Sequence, residues 1–479
     1  MNYLELERTL ARHLHLGQQA ELCAAPLTGE LRLAMSATPA YRLNPDGTAD
    51  VSCDLFTCHI FRENGKALCQ LEMHRAEAKA SAEAPYGLLS LRRYPIQAMK
   101  PWPYTENEDP FAALGSYPVL PVHGCGDSAA FGAIRNLQNM FFEHRLHGPE
   151  ELFSGSEEAE LEIEALGIAA KGKQIFTRCR EVLDRENENA HCYLFLGVTG
   201  MPVIEVEADG TRARGLFMTQ LYEVHAAAYH RDPKDWTLHR TLAVTESEYV
   251  REKDGWKIFR MHIRNLVPLP TVPYSVSGRY DRCGQSTLPW EIAQLYGKPP
   301  APDDCMEIEN IIHGWAYGCR RGTLPEFVES RIRNPMGKNR MWIKSFGEST
   351  PVLDTLDKIR MKIHDMTAQY RENYYTFHAP TTPVLQAAGE SRVLATWFDC
   401  AATSLRSMAK TPEAVPYMAF VNKYTHRFEK MGGKWYLVEF KNEPMIALPD
   451  WELNMTDNIG WLQNSKTRRF PDAFGEEKQ

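Results

Sequence analysis

The sequence predicts an α+β fold built in tandem, with helices first and an antiparallel sheet after them in each unit. Three observations predict it. Two turn-centred motifs recur in the same order, the hydrophobic period changes from helical to strand-like inside each repeat, and Pro-rich seams separate the repeats.

The recurrence is specific. Pro202-Val203-Ile204-Glu205-Val206 runs into the turn Asp209-Gly210-Thr211, and Pro383-Val384-Leu385-Gln386-Ala387 runs into Gly389-Glu390-Ser391. Further on, Asp254-Gly255-Trp256-Lys257-Ile258-Phe259 is matched by Gly432-Gly433-Lys434-Trp435-Tyr436-Leu437. Gly210 and Gly255 are 45 positions apart, and Gly389 and Gly433 are 44 apart. A weaker echo lies near the start: Pro39-Ala40-Tyr41, Asp46-Gly47-Thr48-Ala49 and Asn64-Gly65-Lys66. Its two turns are only 18 positions apart, and the residues before Pro39 leave room for one helix, about Leu4 to Cys23.

The elements follow in order. Pro101–Pro121 and Pro268–Pro302 lack either period and read as linkers. They divide the chain into a truncated unit (1–110), a middle unit (122–285) and a last unit (303–465). In the middle unit, Ile134, Leu137, Phe141 and Phe142 set a helical period over Phe131–His144, and a second helix covers Ile175–Leu183. From about His191 the pattern turns strand-like, with an Asp-Gly hairpin signal at Asp209-Gly210 and strands Leu242–Val250 and Trp256–Leu266 around Asp254-Gly255. The last unit predicts helices over Met306–Arg320 and Val352–Tyr370, then strands around Tyr374, Val384, Val393, Tyr417 and Trp435. Helices segregated to one face of an antiparallel sheet make an α+β layer architecture.

Composition narrows the functional classes. The chain has 479 residues and a formal net charge of −8, which argues against nucleic acid as a partner, since that footprint needs clustered Lys and Arg. No apolar run reaches the roughly 20 residues of a membrane span, and the acidic start Met1–Glu7 lacks the pattern of a secretory signal. The 11 cysteines (Cys23, Cys53, Cys58, Cys69, Cys125, Cys179, Cys192, Cys283, Cys305, Cys319 and Cys400) are scattered, without CxxC or a tight Cys/His cluster. Reduced thiols, a cytoplasmic location and no metal site are the expectations.

A helix pair, then Pro-Val-Ile-Glu-Val with its Asp-Gly hairpin, then Asp-Gly-Trp-Lys-Ile resembles the SnoaL-like branch of the nuclear transport factor 2-like superfamily. Scytalone dehydratase, ketosteroid isomerase, polyketide cyclases and bile-acid 7α-dehydratase belong to it. The resemblance covers about 122–285 and 303–465, and 25–80 more weakly. It implies a cone in each full unit, a curved antiparallel sheet wrapped against the N-terminal helices around an apolar pocket. It also implies catalysis without metal or organic cofactor, by a His, often paired with Asp, and a Tyr near the end of the first helix.

Carried over residue by residue, the resemblance selects the last unit. His378 stands 11 positions before Gly389, where catalytic members place their His; Thr382 stands where Asn is common. The alternative is a strand-end His bonded to backbone. The corresponding middle-unit position is Gly197, and the N-terminal unit offers Ala34. Tyr317 is the candidate phenol, or else packs in the helix face, and Arg320 or Arg321 replaces the family's nearby acid. Val393, Ala395, Trp397 and Asp399 share one strand face by period two, so Asp399 is the candidate partner that orients His378. The other reading is an exposed strand-end Asp. Trp315, Trp397 and Tyr375 are candidate substrate contacts, with core packing the alternative. Glu439 and Lys441, matching His262 and Arg264 in the middle unit, line the pocket or else face solvent. Glu143 and His144 are middle-unit candidates against a solvated helix end.

Two functions remain open. One is a cofactor-independent lyase or isomerase acting on a small hydrophobic cyclic or aromatic compound, with His378 as base, Tyr317 as electrophilic donor and Asp399 orienting the His. The other is a non-catalytic ligand-binding or assembly protein, a homo-oligomer or an internal pseudo-dimer of cones.

Overall fold

The computed structural model describes residues 6–7, 10, 30–81, 87–98, 101–104, 128–144, 146, 149–183, 192–225, 237–273, 298–321, 323–332, 339–345, 348–349, 352–405 and 417–449. It is a mixed α+β structure with three sheets.

The first sheet has six strands: β1 (Glu30–Ser36), β2 (Ala40–Leu43), β3 (Thr48–Glu63), β4 (Lys66–Ser81), β5 (Leu88–Ala98) and β6 (Trp102–Pro103). The turns anticipated at Asp46-Gly47 and Asn64-Gly65 are present. Asn64 and Gly65 both take positive φ, 52° and 78°, the conformation of a tight hairpin with Asn-Gly at its centre. Of the helix expected over Leu4–Cys23, the described residues are Leu6, Glu7 and Leu10, all helical. Leu6 and Leu10 are buried, and Glu7 makes a buried ion pair of 2.8 Å with Arg135.

The middle sheet follows a helix and returns to it. Helix α1 (Ser128–His144) is followed by β7 (Glu160–Ile163), β8 (Ile168–Lys171) and α2 (Gln174–Leu183), then β9 (Cys192–Thr199), β10 (Val203–Val206), β11 (Arg212–His225), β12 (Thr237–Glu252) and β13 (Gly255–Pro273). The order is β10-β11-β12-β13-β7-β8, with β9 also on β11. The Asp209-Gly210 turn is closed by the Asp209 carboxylate, which accepts bonds from the Thr211 amide and hydroxyl, each 2.9 Å.

One boundary differs from expectation. Pro268–Pro273 is strand, not linker: Pro268 pairs with Thr241, and Pro273 with Thr237. The second neighbour of β13, β7, reaches only Arg260–Ile263. Beyond that the described β13 has an edge, where a residue without an N–H is tolerated. The seam expected over Pro101–Pro121 lies, past residue 104, outside the described residues, as do 274–297 of the second seam.

The last unit repeats the plan. Helix α3 (Pro302–Arg321) starts four residues before the periodicity suggested, because Pro302 fits a first helical position and Asp303 and Asp304 favour a helix N-terminus. Then come α4 (Leu324–Phe327), β14 (Arg340–Ser345), β15 (Glu348–Ser349), α5 (Leu356–Asn373), β16 (Tyr374–Pro380), β17 (Val384–Ala387), β18 (Arg392–Leu405), β19 (Tyr417–Met431) and β20 (Lys434–Pro449). The order β15-β14-β20-β19-β18-β16, with β17 also on β18, is the order of the middle sheet. Among the described residues no helix is long and apolar enough to cross a membrane.

Contacts sort the chain into two units. One holds 128–273 with most of the first sheet; the other holds 302–449 with Thr38–Leu43 and Asp50–Cys53. Within that second unit, Asn310 on α3 clasps the backbone of Tyr41, accepting from its N–H at 2.8 Å and donating to its C=O at 3.0 Å. Thr38 donates its N–H to Pro380 and its hydroxyl to the Thr381 carbonyl, each at 2.6 Å. Asn310→Ala strips both partners from Tyr41 and is expected to destabilise the unit by about 1–3 kcal/mol. Urea unfolding of the full chain measures it, and an unchanged midpoint rejects the clasp.

Candidate active site in the last unit

Pairing register decides what meets what in the last sheet. His378 lies opposite Ala401 and Pro380 opposite Asp399, so His378 and Asp399 are diagonal neighbours on one face. Across β18, Ala395, Trp397 and Asp399 face His426, Tyr424 and Asn422. Across β19, Tyr424 and His426 face Asn442 and Phe440. The α3 side chain Trp315 lies against Phe440, ring centroids 4.4 Å apart, so this face looks toward the helices.

His378 Nδ1 is 2.5 Å from Asp399 Oδ2, and both residues are buried. Cys319 on α3 interacts with the same imidazole. Burial works hardest against the imidazolium, but the Asp399 charge and then the Cys319 sulfur, through charge and hydrogen bonding, outweigh it and lift His378 up to about 10. His378 therefore rests as the imidazolium near neutral pH. Nδ1–H is committed to Asp399, which fixes the ring and leaves Nε2 as the nitrogen that exchanges a proton.

A second imidazole lies on the same face. His426 is 1% exposed, and among the described residues neither of its ring nitrogens has a hydrogen-bond partner. It sits edge-on to Trp397 at 4.2 Å and tilted against Phe440 at 4.5 Å. Trp397 in turn stacks on Tyr424 at 5.3 Å and 6°. With only burial acting, His426 is pushed well below the ordinary His range and is neutral. A buried donor or acceptor without a partner costs roughly 1–3 kcal/mol, so packing alone does not account for a His here. Asp399 Oδ1 and Trp315 Nε1 are likewise buried without partners among the described residues.

The structure thus joins His378 to Asp399 and puts Trp397 on the same sheet face, with Trp315 packed on that face against Phe440. It separates Glu439 and Lys441 from them. Both are on β20, next to Phe440 and on the opposite sheet face, because successive strand residues alternate. Glu439 pairs with Arg340 at 2.7 Å and Arg427 at 2.9 Å, and Lys441 with Glu443 at 2.6 Å. His262 also points away from the helices, between buried Met261 and Ile263 and 3.9 Å from Glu162. Glu143 is half-buried at the end of α1. The side chains of Tyr317, Tyr375 and His144 lie outside the described ones. Sequence reasoning missed His426, Tyr424 and Cys319. The alternation Tyr424-Thr425-His426-Arg427-Phe428 is a period-two signal for the first two; Cys319 carried none. Among the described residues no three His, Cys, Asp or Glu side chains are grouped as metal ligands.

The SnoaL-like domain model matches residues 143–262, which span most of the middle sheet. Residues 143–262 form a SnoaL-like domain. Solved structures to which parts of the chain are similar include three, at identities too low to bear on chemistry. Hexachlorocyclohexane dehydrochlorinase LinA-type3 from Novosphingobium barchaimii LL02 is 10% identical, covering 31% of this chain and 90% of its own, TM-score 0.25. A candidate scytalone dehydratase from Novosphingobium aromaticivorans DSM 12444 is 12% identical, covering 33% and 94%, TM-score 0.24. A candidate dehydratase of the nuclear transport factor 2-like family from Streptomyces avermitilis is 16% identical, covering 30% and 98%, TM-score 0.26. No curated protein matches the sequence.

The SnoaL-like domain itself lacks the dyad. Gly197 pairs with Leu221 on β11 as His378 pairs with Ala401 on β18. A Cβ at Gly197 would lie 2.0 Å from the Phe142 ring, so the α1 side chain occupies the room an imidazole needs. Two positions before Leu221 stands Thr219, bonded at 3.0 Å to Thr245. Asp399 holds that place two before Ala401. Gly197→Ala is expected to destabilise the SnoaL-like domain by about 1–3 kcal/mol through overpacking. Adding Phe142→Ala should recover part of that loss. Thermal unfolding of the single and double variants decides it, and a neutral single variant rejects the close contact.

Proposed function

We propose that the last unit catalyses a cofactor-independent lyase or isomerase reaction on a small hydrophobic cyclic or aromatic compound, with His378 moving the proton. The observation that carries this is the buried 2.5 Å pair between His378 Nδ1 and Asp399 Oδ2, on a face that also carries the rings of Trp397, Tyr424 and Phe440. A buried charged pair is a weak source of stability and a good means of holding a proton where water is scarce.

The charge state sets the order of events. His378 rests protonated, so it donates first, from Nε2 to a substrate oxygen, either a departing hydroxyl or a carbonyl. The neutral imidazole then takes a proton from the adjacent carbon. Loss of a hydroxyl as water with loss of that carbon proton gives an alkene; with a carbonyl, the same two transfers move a double bond. Each cycle returns the pair to its starting charge. Donation first revises the base-first role that the resemblance assigns to His378. Tyr317, in the same helix as Cys319, is the proposed second donor to the oxygen. We assign the SnoaL-like domain a non-catalytic role, on the strength of Gly197 and Phe142.

Incubation of the protein with cyclic hydroxyketones in deuterated water tests the reading. Enzyme-dependent loss of water, or exchange of the carbon-bound proton next to the carbonyl, is expected in proton NMR spectra. Spectra identical to the enzyme-free control across flat cyclic ketones would overturn it.

A further inference from the structure

We propose that His426 is a specificity-determining residue of this site, a neutral hydrogen-bonding post for a second oxygen on a flat ring substrate. This deepens the proposed function and rests on it. Three observations meet at this residue. Both ring nitrogens of His426 are without a partner among the described residues, at 1% exposure. The side chain shares the helix-facing side of the sheet with Asp399, whose Oδ1 is also without a partner. Between them lies Trp397, 4.2 Å from the His426 ring and stacked on Tyr424.

An apolar side chain on β19 would fill the same volume without the desolvation cost of two orphaned nitrogens, so the imidazole is better explained by a ligand group than by packing. Four aromatic rings surround it, those of Trp397, Tyr424, Phe428 and Phe440. No acid or base among its contacts would hold it charged, and burial keeps it neutral. A neutral imidazole offers one donor and one acceptor, which suits a hydroxyl and does not select an anion. The register separates the two ends of the site. Asp399 and the residue facing His426, Ala395, are four residues apart on β18, roughly 13 Å of strand rise. One end therefore handles the proton while the other recognises a distant oxygen, with the ring lying along Trp397.

A matched pair of probes tests this, 4-hydroxyacetophenone and acetophenone, titrated calorimetrically into wild type, His426→Phe and Asp399→Asn. Wild type is expected to prefer the hydroxylated probe at least tenfold. His426→Phe, which keeps an aromatic ring and removes the nitrogens, should bring the ratio close to one while acetophenone binds as before. A preference that survives in His426→Phe overturns the proposal, as does a wild type that binds both probes alike or neither. Loss of the preference in Asp399→Asn but not in His426→Phe would place the hydroxyl on the dyad. That outcome removes His426 from recognition and leaves the proton-transfer reading standing, because turnover tests that reading separately.

Discussion

His378→Asn is expected to lower turnover by about 100- to 10,000-fold, the usual contribution of a positioned acid or base. It also changes stability. His378 and Asp399 are both buried, so removing the imidazole leaves a carboxylate without its cationic partner. A buried charge in that state neutralises or destabilises the fold, typically by about 3–5 kcal/mol. The double variant His378→Asn with Asp399→Asn removes both charges and should recover much of the stability while leaving turnover at the single-variant level. Activity that returned along with stability would mean that His378 acts through the fold and not through the proton. Steady-state kinetics with urea unfolding of the three variants separates these outcomes.

Asp399→Asn is the second large effect, and its pH dependence has a definite sign. The folded-state pKa of His378 is raised, to about 10, above an unfolded value near ~6.5. The folded protein thus binds a proton that the unfolded chain releases between those limits. The stabilisation is fully present below pH ~6.5 and is lost as pH rises through about 10. In Asp399→Asn the carboxylate, the largest influence opposing burial, is gone, and His378 shifts toward the neutral state. The stability difference between wild type and variant is therefore widest near pH 6, at roughly 3–5 kcal/mol, and narrows toward pH 10. Denaturant midpoints across pH 6–10 measure it. A difference that stayed constant over that range would show that the pair does not carry the extra proton.

The sequence made the architecture legible because the physics involved is local. Asp209-Gly210 and Asn64-Gly65 announce hairpins through backbone conformations that few other residue pairs adopt. Alternation along Val393–Asp399 announces which side chains share a face. The register of β16 on β18 is what makes Asp399 and His378 diagonal neighbours; that alternation made Asp399 a candidate partner for His378 or else an exposed strand-end residue. Its reach ended at the strand edge. The register across β19 and β20 depends on the bulges at Val421/Asn422 and Arg427/Phe428, which no short motif encodes. The face of Glu439 and Lys441 was consequently left open, and His426 was not seen. Nor does a local pattern say that Thr38–Leu43, far away in sequence, would complete the last unit through Asn310. Pro268–Pro273 misled for a related reason, because whether proline is allowed in a strand depends on whether a neighbour needs its N–H.

His378 holds a proton against burial chiefly because Asp399 is bonded to it. Nitrogen NMR of the His378 ring at pH 8 tests it most directly, with Asp399→Asn as the reference. Two protonated nitrogens in the wild type, and a single protonated nitrogen in the variant, are the expected result. A wild-type ring with one unprotonated nitrogen at pH 8 would contradict it.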